Sequence, residues 1–283
     1  MTQGTERLLH RLDLQAVERH GEGVITWEGI GGENAMNMSG RLFGGFVLAQ
    51  TVVAAGRTVP NRRIHSLQQV FLRGGQPTGP IHYRCTPLFA GRTYASSRIE
   101  VFQDAELISH AQVGYTAGVE GPERADVPSP RSRLEDTVNR DQLRNRRNWD
   151  DQPLEMRVVE AHERDTEPRL DTWFRPFGAV PDDQVLHQAL MAFASDRGFM
   201  TTAWKPFQID YGQPRGATLD HTIWFHRPVT LDDWHVFVMD SPAVIDGRGM
   251  SRGTIQRRDG TLVATLAQQG AFRPRRTPEE PTA

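Results

Sequence analysis

The stretch Ala217–Pro228, ATLDHTIWFHRP, contains several polar side chains among branched and aromatic neighbours. If the stretch is a regular strand, alternation places Thr218 and His221 on opposite faces and does not say which face carries chemistry. His221 fits either a core histidine with its hydrogen bonds satisfied or a catalytic group. His226 and Arg227 precede a proline, where structural roles are usual. The stretch therefore offers several candidate groups without choosing among them.

One carboxylate falls on the apolar stripe of a predicted helix. The segment Asp182–Phe199, DDQVLHQALMAFASDRGF, predicts a helix in which Asp196 lies about 20° from Val185 at 100° per residue, inside the apolar arc. In the last turn the negative end of the helix dipole disfavours a carboxylate, and burial adds a further cost. Asp196 is therefore a candidate functional residue, unless its side chain reaches solvent where the helix frays.

An amide continues the apolar face of the last predicted strand. In TLVATLAQQGAFR, Ala264, Leu266 and Gln268 share a face by period-two alternation. The amide of Gln268 can donate and accept hydrogen bonds together, which suits fixing a water molecule or another side chain. A strand end that emerges into solvent, or a bulge that exchanges the faces, would equally explain the position.

Two glycines open the first predicted helix in LFGGFV. Free N–H groups of Gly44 and Gly45 at a helix N-terminus could hold a substrate oxygen as negative charge develops on it. A tight turn or close helix packing is the alternative. The sequence has no GxxxxGK[ST], HExxH or GxSxG motif, nor a GxGxxG followed by an acidic residue, so no cofactor and no metal are predicted.

Composition narrows the class of protein. The 283 residues suit two units of about 140 residues each. Lys and Arg total 33 against 35 Asp and Glu, so no basic field favours nucleic acid or an anionic membrane. The single cysteine, Cys85, lies in a strand-like run and predicts a buried structural thiol. With no apolar run of about 18 residues, we expect a soluble cytoplasmic protein that binds small molecules or its own copies.

The chain repeats one pattern of elements. GRLFGGFVLAQTVVAAGRTVP predicts a buried helix, four strand-like runs follow, and a similar order returns after a charged linker. FLRG begins 154 positions before FHRP, which is a local match between the halves. We predict an α+β fold of two modules packed as a pseudo-dimer, with modules at 1–118 and 152–283 and the linker at 119–151.

Five motifs in order, RLFGGFVLAQ, HSLQQVFLRGG, FASD, ATLDHTIWFHRP and LVATLAQQGAFR, resemble the acyl-CoA thioesterase II family from about residue 7 to residue 273. The resemblance implies a double hot-dog fold, in which an antiparallel sheet wraps the central helix of each module. It also implies a homo-oligomer with acyl-CoA as substrate. The sequence departs from the family at Gln269, where an acidic residue is frequent, and at Phe46, where glutamine is common.

The resemblance implies a catalytic set of Asp196, Thr218 and Gln268. Asp196 would act as general base on a water that attacks the thioester, Thr218 and Gln268 would fix that water, and Gly44 and Gly45 would stabilise the oxyanion.

Two alternative functions stay open. An enoyl-thioester hydratase or dehydratase would need an Asp/His pair in a Gly- and Asn-rich loop, which the sequence lacks. A non-catalytic acyl-CoA binder would keep the fold without turnover.

Overall fold

The computed structural model describes residues 3–32, 35–37, 40–144, 152–207 and 215–273. The elements of the N-terminal half are α1 (Gln3–Arg11), β1 (Gln15–Arg19), β2 (Ile25–Ile30), α2 (Gly44–Thr58), β3 (Arg63–Phe71), β4 (Pro80–Ala90), β5 (Tyr94–Gln103) and β6 (Glu106–Thr116). The elements that follow are β7 (Val138–Asn139), α3 (Arg140–Leu143), β8 (Leu154–Val158), α4 (Glu160–Arg164), β9 (Arg169–Pro176), α5 (Gln184–Ser195), α6 (Phe199–Trp204), β10 (Arg215–Phe225), β11 (His235–Ile245), β12 (Arg248–Arg257) and β13 (Leu262–Arg273).

All these strands form one 13-stranded sheet, in the order β1-β2-β4-β5-β6-β3-β10-β13-β12-β11-β9-β8-β7. The halves join where β3 pairs antiparallel with β10, with Leu67 opposite Ile223. Each half carries one long helix against its part of the sheet. The larger hydrophobic cluster runs through both halves, and a smaller one surrounds Trp173 and Trp234 in the C-terminal half. This is the predicted double hot-dog, an α+β fold.

The long helices α2 and α5 pack against each other in opposite directions. Helix α2 is apolar nearly all round, and its residues 45–56 are all buried, as the sequence predicts. Gly45 faces the Phe193 carbonyl near the end of α5, while Gly56 faces Val185 near its start. Because an added Cβ at either glycine would lie under 3 Å from these groups, both glycines permit the close approach.

The segment between β6 and β8 contacts the C-terminal half of the chain in its second part. The backbone N–H of Ser132 donates to Asp171 Oδ2 at 3.1 Å, and Val138 in β7 pairs with Val158 in β8. Residues 131–139 therefore pack on the C-terminal half. The module boundaries at 118 and 151 stay a prediction.

Cys85 is buried, as predicted, and burial raises the pKa of its thiol to about 12. A thiol with that pKa is inert near neutral pH. In the described part of the chain, no helix is long and apolar enough to cross a membrane. The homo-oligomer, the cytoplasmic location and the exclusion of nucleic acid and membranes stay predictions.

Candidate active site

Asp196 lies directly after the end of α5 and meets the start of α2. Its Oδ2 accepts a hydrogen bond of 2.8 Å from the backbone N–H of Gly45, and its Oδ1 accepts one of 3.3 Å from Thr218 Oγ1. Three elements, α2, α5 and β10, therefore converge on this carboxyl group. The Gly45 contact joins residues 151 positions apart, so both halves of the chain build the site.

The environment of Asp196 raises the pKa of its carboxyl group toward neutral pH. Burial raises the pKa of the carboxyl to about 7, although the Gly45 N–H, the Thr218 hydroxyl and the Arg197 guanidinium oppose the rise in that order. Protein atoms surround the carboxyl group, yet part of the residue stays accessible to solvent. A carboxyl group with such a pKa can take up and release a proton near pH 7, as a general base must.

A bulge in β10 corrects one expectation from the sequence. Thr218 pairs with Gly270 and His221 pairs with Gln268, and the register shifts between Thr218 and Asp220. Since Gln268 and Gly270 lie two positions apart on β13, their partners Thr218 and His221 face the same side. The prediction of opposite faces was therefore wrong, because the bulge adds a residue that strict alternation cannot include.

Gln268 is buried on the inward face of β13, as predicted. Its hydrogen-bond partner is His221 and not Asp196. Its Oε1 lies 2.5 Å from His221 Nδ1, and the ring's Nε2 lies 3.0 Å from Ser195 Oγ. The Nε2 of Gln268 is buried without a hydrogen-bond partner among the described residues. No pattern in the sequence marks Ser195 as part of the site. For His221 the only signal is its apolar neighbourhood, which leaves its role open.

The two glycines at the start of α2 occupy different positions in the site. Gly45 directs its N–H at Asp196, so in this structure the carboxylate occupies the donor predicted for an oxyanion. A Cβ at Gly44 would lie 2.8 Å from Asp196 Oδ2. Gly44 is the first residue of α2, where backbone N–H groups have no partner within the helix. Of the two, Gly44 is thus better placed to receive a substrate oxygen.

A narrow apolar gap lies between α6 and the sheet beside Gln268. Met200, Trp204 and Phe272 line it, and Gly270 forms part of its floor. As it stands, the gap is too narrow to hold a water molecule.

The remaining polar residues of Ala217–Pro228 make contacts away from Asp196. His226 Nε2 lies 2.8 Å from Thr265 Oγ1, and Arg227 pairs with Glu123 at 2.6 Å. These contacts agree with structural roles for both. Among the described residues, no group of three or more His, Cys, Asp or Glu side chains is placed to hold a metal ion.

The fold, two modules that share one sheet, makes the chain a double hot-dog protein, and comparisons with known proteins show its family. Residues 33–116 match the family model of the acyl-CoA thioesterase N-terminal domain, and residues 143–271 match that of acyl-CoA thioesterase. The chain belongs to the acyl-CoA thioesterase II family.

Relatives in sequence and in structure agree with this assignment. Acyl-coenzyme A thioesterase 8 of Mus musculus is 30% identical over 259 residues, which are 83% of this chain and 81% of the relative. Acyl-CoA thioesterase 2 of Haemophilus influenzae is also 30% identical, over 82% of this chain and 88% of its own. The solved structure of acyl-CoA thioesterase II TesB2 from Mycobacterium marinum matches with a TM-score of 0.79 at 26% identity, covering 95% of this chain and 99% of that one.

Proposed function

We propose that this protein hydrolyses acyl-CoA thioesters to a free carboxylic acid and CoA by direct attack of water, with Asp196 as general base. Family membership makes the chain a thioester hydrolase. The observation that carries the residue assignment is the Asp196 carboxyl group, which has a pKa of about 7 and contacts Thr218 and the start of α2. Such a group can accept a proton from water at neutral pH.

The reaction balances without any further reactant. The water oxygen forms a bond to the thioester carbonyl carbon while Asp196 takes its proton. The C–S bond then breaks, and the proton passes from Asp196 to the leaving CoA sulfur. Thr218 and Gln268 orient the water, and the Gly44 N–H stabilises the negative charge that develops on the carbonyl oxygen. Gly45 acts on the base itself, because its N–H already binds Asp196.

The first experiment measures thiol release from acyl-CoAs of short, long and branched chains by the purified protein. Release that is proportional to enzyme concentration supports the proposal and ranks the chains. Saturable binding of acyl-CoA without release would instead identify a binding protein. Loss of the conjugated double bond of an enoyl-CoA, with the thioester intact, would identify a hydratase.

The pH dependence of kcat tests the assignment of the base. Only ionised Asp196 can accept a proton from water, so kcat should rise with pH through a midpoint of about 7, where burial has raised the pKa of this carboxyl group. Thiol release at saturating acyl-CoA across the neutral range measures the midpoint. A rate that stays constant from about pH 5 to 8 contradicts this role for Asp196.

A further inference from the structure

Three buried side chains form a hydrogen-bonded chain behind the candidate site. Ser195, His221 and Gln268 are 0%, 0% and 2% exposed. Ser195 Oγ lies 3.0 Å from His221 Nε2, and His221 Nδ1 lies 2.5 Å from Gln268 Oε1. Ser195 immediately precedes Asp196 in sequence. The hydrogen-bonded side chains therefore connect the end of α5 with β10 and β13. Buried polar groups linked in this way hold one another in a single orientation.

The position of each proton follows from what each atom can do. The carbonyl oxygen of Gln268 only accepts, so His221 Nδ1 carries the ring proton. Burial lowers the pKa of His221 to about 4, and the ring is therefore neutral at pH 7 with a single N–H. His221 Nε2 is then an acceptor. The single hydroxyl proton of Ser195 lies within reach of two acceptors, the Ala192 carbonyl oxygen at 2.8 Å and His221 Nε2 at 3.0 Å.

This arrangement fixes the amide of Gln268. A rotated amide would place its NH₂ group against the N–H of His221, so two donors would face each other. The orientation observed instead directs Nε2 of Gln268 away from the ring, where it has no partner among the described residues. An unpaired buried donor destabilises the fold, and an incoming hydrogen-bond acceptor would remove that cost.

We propose that His221 is a positioning residue, whose Nδ1–H holds the side-chain carbonyl of Gln268 so that the amide N–H of Gln268 is presented to the attacking water. The inference rests on the proposed hydrolysis. His221 touches neither the water nor the thioester in this scheme and acts only through Gln268.

A double-mutant cycle measures whether His221 acts through Gln268. His221→Phe keeps an aromatic ring but removes the donor, so kcat should fall roughly 10- to 100-fold with little change in KM, as expected for a misplaced site group. Gln268→Ala should lower kcat by a similar factor. The double variant should be no slower than Gln268→Ala alone, because His221 then has nothing left to orient.

Two further variants separate positioning from packing. His221→Asn places an amide N–H donor close to the former Nδ1, so it should recover most of the activity that His221→Phe loses. His226→Phe is the matched control, since this histidine directly follows β10 but contacts Thr265 instead of Gln268. Its kcat should stay within about twofold of wild type. Losses in His221→Phe and Gln268→Ala that multiply in the double variant would overturn the proposal, as would unchanged kcat in a folded His221→Phe protein.

Nitrogen NMR of the wild-type protein provides a test that depends on no variant. The two ring nitrogens of a neutral histidine have different chemical shifts according to which one carries the proton. Subtracting the spectrum of His221→Asn identifies the signals of His221. A protonated Nδ1 is the expected result, and a protonated Nε2 overturns the proposal. If the wild type releases no thiol at all, the proposed hydrolysis fails instead, whichever tautomer is found.

Discussion

Asp196→Asn should lower kcat for acyl-CoA hydrolysis by roughly 10²–10⁴-fold, the usual contribution of a general base. The amide has nearly the same size, and its oxygen can still accept the hydrogen bond from the Gly45 N–H. The fold and the site geometry should therefore be kept. The amide cannot take a proton from water, so the hydrolysis loses its general base. Thiol release at saturating substrate by both purified proteins measures the effect.

The same substitution should make the protein more stable above neutral pH. The pKa of Asp196 is higher in the folded state than in the unfolded state, so the ionised carboxylate destabilises the fold. This cost begins as pH rises past the unfolded pKa and is complete above about pH 7, where it reaches at most about 4 kcal/mol. Denaturant unfolding should show a larger gain for Asp196→Asn at about pH 8 than at about pH 4. Full activity in a folded Asp196→Asn protein would remove Asp196 as the base.

Gly44→Ala should reduce kcat by roughly 10²-fold while the protein remains folded, because a displacement of about 1 Å in a catalytic group can cost that much. The new Cβ would lie 2.8 Å from Asp196 Oδ2, so the carboxyl group must move away from Gly45 and Thr218. Alanine favours the helix over glycine, which leaves little reason for a loss of stability. Steady-state kinetics and thermal unfolding of the purified variant separate the two effects.

Gly121→Ala is the control for this substitution, since a Cβ at Gly121 meets no heavy atom within 4 Å. Its kcat should equal that of the wild type. Equal activity of both alanine variants would mean that the start of α2 tolerates a side chain, and the proposed contact between Gly44 and the substrate would then be untenable.

Local patterns in the sequence were sufficient to predict much of the candidate site. The apolar stripe of α5 singled out Asp196, because a helix repeats its faces from within its own residues. Alternation placed Gln268 on the buried face of β13, which has a regular register in that region. The run of apolar residues in α2 predicted a buried helix for the same local reason.

The remaining features depend on contacts between distant residues. The bulge near Thr218 exists only relative to the partner strand β13, so the sequence of β10 alone could not predict that Thr218 and His221 share a face. The bond from Gly45 to Asp196 requires α2 and α5 to pack in opposite directions across the two halves. The hydrogen bonds of His221 likewise depend on Ser195 and Gln268, which come from two other elements.

The antiparallel pairing of α2 and α5 has a consequence for how such a chain can evolve. A dimer of identical modules must carry the same residues at both ends of its helix pair, because symmetry copies every substitution. Within a duplicated and fused gene, each end accumulates substitutions independently. Here one end brings Gly45 to Asp196, whereas at the other end Arg57 forms an ion pair of 2.6 Å with Asp183, which also caps α5. Fusion thus allows the two ends of the helix pair to differ, with a backbone contact to a buried carboxyl group at one end and an ion pair at the other.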